Sequence, residues 1–254
     1  MDIFQISFHI VLFAFICEYI DSSLGMGYGT ALTPLLLIIG YSPLQIVPAV
    51  LLSELFTGLT AAFLHHRFKN SNFKLKTIDT KIALIMAGCG VVGTLIAIII
   101  ALNVPTLYVK LYISLIVLSM GVIILGTLNR KFLFSWKKIV SLGLLASFNK
   151  GISGGGYGPV VTSGQILSGV KLKNAIGITS LAEGLTCLVG VITYLLFTNH
   201  TIEWDLAPSL VLGALLSVPL ATYTVKKLDG THLKVIVGLA TLILGLLSLG
   251  KIIL

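Results

Sequence analysis

Two glycine-rich stretches decide the architecture of this chain: Gly25-Met-Gly-Tyr-Gly29 and Gly154-Gly-Gly-Tyr-Gly158. Each lies inside an apolar run, Ile3 to Ile39 or Ile139 to Leu167, that is too long for one straight membrane-spanning helix. Glycine loses more conformational freedom in a helix than any other residue, so a cluster of glycines ends or loosens helical structure. Each long run is therefore predicted to be a hairpin of two helices with the glycines at its turn.

The composition places the chain in a lipid bilayer. Of its 254 residues, 56% are hydrophobic and only 10% are charged, which is more apolar surface than a soluble fold of this length buries. No Lys or Arg precedes the N-terminal run, so it is expected to remain as a span and not to be removed as a signal peptide. Together with the two hairpins, six runs of ordinary span length predict an all-α integral membrane protein of ten helices. The six runs are Leu44 to Leu64, Ile82 to Leu102, Leu107 to Leu128, Ala175 to Phe197, Leu206 to Val225 and Val235 to Leu254.

The glycine stretches belong to an internal repeat with a period of 129 positions. Because the shift continues without a gap into the following spans, we predict two homologous halves, residues 1–128 and 129–254. The residues that the shift superimposes are Gly25/Gly154, Gly27/Gly156, Tyr28/Tyr157, Gly29/Gly158, Thr33/Thr162, Gly40/Gly169, Glu54/Glu183 and Thr57/Thr186.

The basic residues predict the orientation of the chain. They cluster in the loops 65–81, 129–138 and 226–234, which are therefore expected to be cytoplasmic, with both termini outside. The net charge of +8 is explained by these loops, so no nucleic-acid partner is expected. A hairpin plus three spans crosses the membrane an odd number of times, so the two halves are expected to be inverted relative to each other. Lys110 and Lys251 fall on the outer side as mild exceptions.

Turns of this kind can lie inside a membrane only where protein or water satisfies their backbone groups. Two turns entering from opposite faces are expected to meet near the midplane, with the free amides of the following helices directed into a shared cavity that suits an anion. The alternative is that the glycines only permit close helix packing. Lys150, just before the second turn, is expected either to contact a substrate or to pair with Glu183, Glu54 or Asp21.

Two intramembrane carboxylates, Glu54 and Glu183, must face the protein interior, because exposure to lipid costs roughly 2.5 kcal/mol or more. Thr57 and Thr186 follow each of them by three residues and share their helix faces. These groups are expected to carry a proton, to counter a cation, or to order the hairpin turns by accepting their amide hydrogens. Asp21, at the position equivalent to Lys150, is grouped with them.

Other features of the sequence suggest no further chemistry. His65 and His66 are adjacent and end a span beside Arg67, so we expect a solvated cytoplasmic helix end and not a metal site. Three cysteines without close spacing are expected to be small packing residues. No catalytic or nucleotide-binding motif is present, so neither an enzyme nor a cofactor is expected.

The duplicated motif resembles the signature of the sulfite exporter TauE/SafE family. The residues that carry the resemblance are Gly25-Met-Gly-Tyr-Gly-Thr-Ala-Leu-Thr-Pro34 with Gly40, and Gly154-Gly-Gly-Tyr-Gly-Pro159 with Gly169. Members of this family are membrane permeases associated with sulfite, sulfonates and related anions, often in the export direction. The resemblance implies a small anionic substrate held at the turns. Met26, Tyr28 and Tyr157 depart from a pure glycine run.

The resemblance, taken with the predicted architecture, therefore implies an exporter of small sulfur-containing anions that works by alternating access in the cell membrane. A homodimer is left open. The alternatives are a transporter of a cation or metal that uses the carboxylates, and a membrane receptor or intramembrane enzyme. The residues expected to bind substrate are Gly25, Gly27, Tyr28, Gly29, Thr33, Lys150, Ser153, Gly154, Gly155, Gly156, Tyr157, Gly158 and Thr162.

Overall fold

The structure is a computed structural model that describes residues 6–25, 27–126, 135–167, 170–197, 202–227 and 231–253. Within these residues it is all-helical, with ten α-helices. They are α1 (Phe8–Leu24), α2 (Tyr28–Ile39), α3 (Pro43–Arg67), α4 (Ile78–Asn103), α5 (Thr106–Gly126), α6 (Trp136–Ser153), α7 (Tyr157–Leu167), α8 (Leu172–Phe197), α9 (Ala207–Val225) and α10 (Thr231–Ile253).

The two glycine stretches end helices as predicted. Gly25 directly follows the last residue of α1 and Gly154 that of α6, and both glycines have a φ of 69°, in the left-handed region that residues with a Cβ rarely adopt. The amide of each glycine donates to the carbonyl four residues earlier, Asp21 or Lys150. The chain then re-enters a helix at Tyr28 or at Tyr157. Each long apolar run is thus two helices with a break between them.

The helix bounds follow the 129-residue period. Shifted by 129 positions, α3 would cover 172–196, and α8 is Leu172–Phe197; α2 would cover 157–168, and α7 is Tyr157–Leu167. The packing follows the same correspondence, because α4 packs along α6 while α9 packs along α1. The counterparts α3 and α8 pack against each other, as do α5 and α10.

The contact between α3 and α8 is close because small residues face each other. A β-carbon added to Gly58 would lie 2.9 Å from the Ser180 carbonyl oxygen and 3.0 Å from the Cα of Gly184. Small residues at a membrane helix interface let backbones approach and increase van der Waals contact. This contact holds Glu54 on α3 near Glu183 on α8, since Glu54 lies one turn before Gly58 and Glu183 directly precedes Gly184.

Five of the described helices are long and apolar enough to cross a membrane, namely α3, α4, α5 over Thr106–Ile123, α8 and α9. The sixth predicted span corresponds to α10, in which Leu242–Ile252 is apolar and many other side chains lie outside the described part. Large apolar side chains such as Phe63, Val92 and Leu195 are exposed on the outer faces of these helices. Such faces suit contact with lipid, as expected for a multi-pass membrane protein.

The prediction for His65 is wrong. His65 is fully buried at the end of α3, whereas His66 and Arg67 are exposed. Its Nε2 lies 3.2 Å from the Ser22 carbonyl oxygen, and its Nδ1 lies 3.1 Å from Nδ2 of Asn70. The segment after α3 folds back over the helix end and covers His65, which local sequence does not reveal.

Candidate functional site

The two breaks meet backbone to backbone. A β-carbon on Gly29 would lie 2.6 Å from the carbonyl carbon of Gly154 and 2.9 Å from the Cα of Gly155. A β-carbon on Gly155 would lie 2.5 Å from the carbonyl carbon of Gly29. Such distances leave no room for a side chain at either position, so glycine is required there for contact between the breaks.

Lys150 lies at this junction in an ionic cluster with two carboxylates. Its side chain is fully buried, with 0% of the residue exposed. Its Nζ donates to Oε1 of Glu183 at 2.7 Å and forms a second ion pair with Oε2 of Glu54. Lys150 was expected either to contact a substrate or to pair with a carboxylate. In the structure it pairs with Glu54 and Glu183 at the same time. When both carboxylates are ionised, the cluster carries one positive and two negative charges.

Glu54 connects the ionic cluster to the first break. Its Oε1 accepts a hydrogen bond from the amide of Gly29 at 3.2 Å, while its Oε2 contacts Lys150. The thiol of Cys187 is 3.6 Å from the same Oε2. A single carboxylate therefore accepts from a backbone amide and pairs with the ammonium group. These are the two kinds of group that bind oxyanions.

Several amides at the breaks have partners within the protein, contrary to the expectation that they are free. The amide of Tyr28 is 3.4 Å from Oδ1 of Asp21. The amide of Gly155 donates to the Ser153 hydroxyl at 3.0 Å, and that of Gly156 donates to the Thr30 hydroxyl at 2.9 Å. Buried backbone donors are almost always paired, and here short side chains and carboxylates satisfy them.

The two equivalent threonines differ in their contacts. Thr162 donates to the carbonyl oxygen of Gly25 at 2.6 Å and lies 2.8 Å from the Thr179 hydroxyl. Thr33 is also fully buried, yet within the described part of the chain its hydroxyl has no hydrogen-bond partner. A β-carbon on Gly154 would lie 3.3 Å from this hydroxyl, so it borders the second break.

The other predicted site residues surround the junction. The Tyr28 hydroxyl is 2.8 Å from that of Ser53, and Thr186 donates to the carbonyl of Ala182 in its own helix at 2.8 Å. Sequence reasoning missed Ser53, although it directly precedes Glu54, and Thr30, although it directly follows the first motif. The remaining members, all buried or at the breaks, are Gly27, Thr57, Tyr157 and Gly158.

Glu18 is a further buried carboxylate on α1, where it accepts from the Ser22 hydroxyl at 2.6 Å. Across the described ranges, no group of three or more His, Cys, Asp or Glu side chains is arranged to hold a metal ion. The acidic side chains at the junction instead have Lys150 and backbone amides as partners.

A comparison with protein-family models matches residues 10–248 to the sulfite exporter TauE/SafE family. The chain belongs to this family. It is therefore a multi-pass membrane transporter of the TauE/SafE type.

Among curated proteins, this TauE/SafE chain is similar to the "Probable membrane transporter protein YtnM" of Bacillus subtilis (strain 168). The two are 28% identical over 249 aligned positions, which cover 90% of this chain and 79% of the relative. No solved structure matches the chain.

Proposed function

We propose that this TauE/SafE chain exports small sulfur-containing anions, such as sulfite or organosulfonates, by alternating access around Lys150. The observation that carries the proposal is a fully buried ammonium group at the junction of two broken helices. Buried charges inside membrane segments are costly and mark substrate or ion pathways. The Thr33 hydroxyl beside the second break has no partner among the described residues and supplies a further group for a substrate oxygen.

The contacts of Glu54 suggest how an anion binds. Its carboxylate occupies the Gly29 amide and Lys150, so an entering oxyanion competes with it for the same donors. Protonation of Glu54 or Glu183 removes a negative charge and weakens the attraction of that carboxylate to Lys150. The anion then takes the vacated position. This exchange lets one proton accompany one anion, and the direction of net transport follows from the two concentration gradients.

We further propose that residues 1–128 and 129–254 are inverted repeats that rock against each other. The exchanged packing of α4 on α6 and α9 on α1 supports this relation. In the proposed orientation the loops 65–81, 129–138 and 226–234 are cytoplasmic, both termini are outside, and the protein resides in the cell membrane. Ser153 and the glycines of both breaks border the substrate, and the protein functions without a cofactor.

The test is efflux of radiolabelled sulfite from proteoliposomes that contain the purified protein. We expect efflux that sulfoacetate or taurine inhibits and that divalent metal ions leave unchanged. Lys150→Gln should abolish efflux, whereas Lys137→Gln, at an exposed lysine in the first turn of α6, should not. Transport of divalent metals without anion transport would support the alternative in which the carboxylates bind a cation.

Proton coupling is tested in the same proteoliposomes. An imposed pH gradient should change the efflux rate of the native protein and leave that of the double variant Glu54→Gln/Glu183→Gln unaffected. Sulfite efflux that keeps its response to the pH gradient in the double variant would remove the coupling role.

A further inference from the structure

A cavity of about 190 Å³ opens between the start of α3, the end of α4 and the start of α5. We call it the outer cavity, because these helix ends lie outside in the proposed orientation. Its lining includes Pro43, Leu102, Pro105, Val109, Ile152 and Tyr194. It has room for several water molecules.

The outer cavity reaches the end of α6, the helix that carries Lys150. Ile152 lies two residues after Lys150 on α6, and Tyr194 is only 2% exposed. The Tyr194 hydroxyl donates to the carbonyl oxygen of Gly151, the residue that follows Lys150, at 3.1 Å. Tyr194 thus both lines the outer cavity and bonds to the backbone next to Lys150.

The Gly151 carbonyl needs this donor because it lies in the last turn of α6. Carbonyls in the last turn of a helix lack an intrahelical partner. The amide four residues later, that of Gly155, donates to Ser153 instead. A tyrosine hydroxyl from α8 therefore satisfies a backbone group that the glycine break left open.

The equivalent contact exists in the first half. Shifted by 129 positions, His65 corresponds to Tyr194 and Ser22 to Gly151. The Asn70 amide contacts His65 Nδ1 and also donates to the Thr222 carbonyl, so Nδ1 is the acceptor and Nε2 carries the proton that Ser22 accepts. In each half, a side chain near the end of the span that follows the hairpin thus donates to a backbone carbonyl near the break. The donor is Tyr194 in the second half and His65 in the first.

We infer that Tyr194 is the outer gate of the substrate route and that His65 is its inner counterpart. This inference rests on the proposed function and adds a path to it. While Tyr194 donates to Gly151, its ring blocks the way from the outer cavity to Lys150. When the hydrogen bond breaks, the ring moves aside, and the released hydroxyl is free to donate to a passing oxyanion.

Cys187 is a native reporter behind the gate. It is fully buried, it lies two turns before Tyr194 on α8, and its thiol contacts Glu54. With Cys17 and Cys89 replaced by alanine, intact cells are treated with an anionic, membrane-impermeant methanethiosulfonate that carries a sulfonate group. The measured quantity is the labelling rate of Cys187.

We expect Tyr194→Phe to raise this rate roughly five- to tenfold, as loss of one hydrogen bond shifts a closed state toward an open one. Tyr112→Phe is the matched control, because Tyr112 also donates to α6, to Asn149 Oδ1 at 2.7 Å, but lies outside the cavity lining. Tyr194→His, which copies the donor of the first half, should keep labelling slow.

An unchanged rate in Tyr194→Phe, an equal rise in Tyr112→Phe, or fast labelling in Tyr194→His would overturn the inference. Should Tyr194→Phe fail to fold, as judged by size-exclusion chromatography, Tyr194→Leu replaces it. Fast labelling of Cys187 in Tyr194→Leu would then support the gate, and slow labelling would overturn it. The labelling needs no substrate. If sulfite transport is not observed, the proposed substrate is wrong, and the labelling rate of Cys187 still tests the gate.

Discussion

Gly29 at the start of α2 lies directly against the carbonyl of Gly154 at the end of α6, so that Gly29 has no room for a β-carbon. These residues are 125 positions apart in the sequence and belong to different breaks. Their contact brings the ionic cluster of Lys150, Glu54 and Glu183 to the same place.

Gly29→Ala should therefore separate the two breaks. A methyl group there overlaps the backbone of Gly154, and backbone cannot move aside as a flexible side chain can. We expect a loss of stability of about 1–3 kcal/mol and loss of transport. The control is Gly88→Ala on α4, where nothing lies within 4 Å of the added carbon and stability should rise by up to about 1 kcal/mol. Thermal unfolding in detergent measures the stability of both variants. Equal changes in the melting temperatures of Gly29→Ala and Gly88→Ala would contradict the close contact.

Lys150→Met should destabilise the protein because it leaves Glu54 and Glu183 buried without their cation. Breaking a buried ion pair by removing one partner costs on the order of 3–5 kcal/mol. The triple variant Lys150→Met/Glu54→Gln/Glu183→Gln carries no buried charge at this site and should recover much of the stability without recovering transport. A melting temperature that stays equally low in the triple variant would show that packing of the lysine, and not charge balance, is what matters.

Thr33→Val and Thr162→Val should have opposite effects although the residues are equivalent in the repeat. Thr162→Val leaves the Gly25 carbonyl without its donor and should cost about 1–3 kcal/mol of stability. Thr33→Val removes a buried hydroxyl that has no partner among the described residues, so stability should stay the same or rise, while sulfite transport weakens. Melting curves measure the stability of the two variants, and the KM for sulfite measures the effect on transport. Similar melting temperatures for both variants would contradict the assigned hydrogen bonds.

Asn70→Ala should loosen the segment between α3 and α4. The Asn70 amide contacts both His65 and the Thr222 carbonyl of α9, so its loss removes one of the hydrogen bonds that tie this segment to the second half. We expect faster tryptic cleavage at the exposed Lys69, Lys74 and Lys76 in detergent. Asn72→Ala is the control, since within the described ranges the Asn72 side chain accepts from the nearby amide of Lys74 and has no bond to the second half. Equal cleavage rates in the two variants would mean that Asn70 does not hold the segment.

The sequence by itself determined the number of helices and the positions of the breaks. Hydropathy and helix length are local properties, and glycine acts on the backbone where it stands, so the ends of α1 and α6 could be read from Gly25 and Gly154. The repeat period likewise requires only comparison of the chain with itself. The family followed from the duplicated motif and was confirmed by the match over residues 10–248.

Only the tertiary structure decided which groups share the junction. Lys150 had three candidate partners in the sequence, and the close packing of α3 on α8 selected Glu54 and Glu183 together. Likewise, His65 reads as solvated beside Arg67 but is covered by a segment held on α9, and Tyr194 gives no sign in the sequence of its bond to Gly151. Such contacts join residues that are distant in sequence, and they depend on how helices pack, which no local pattern of residues records.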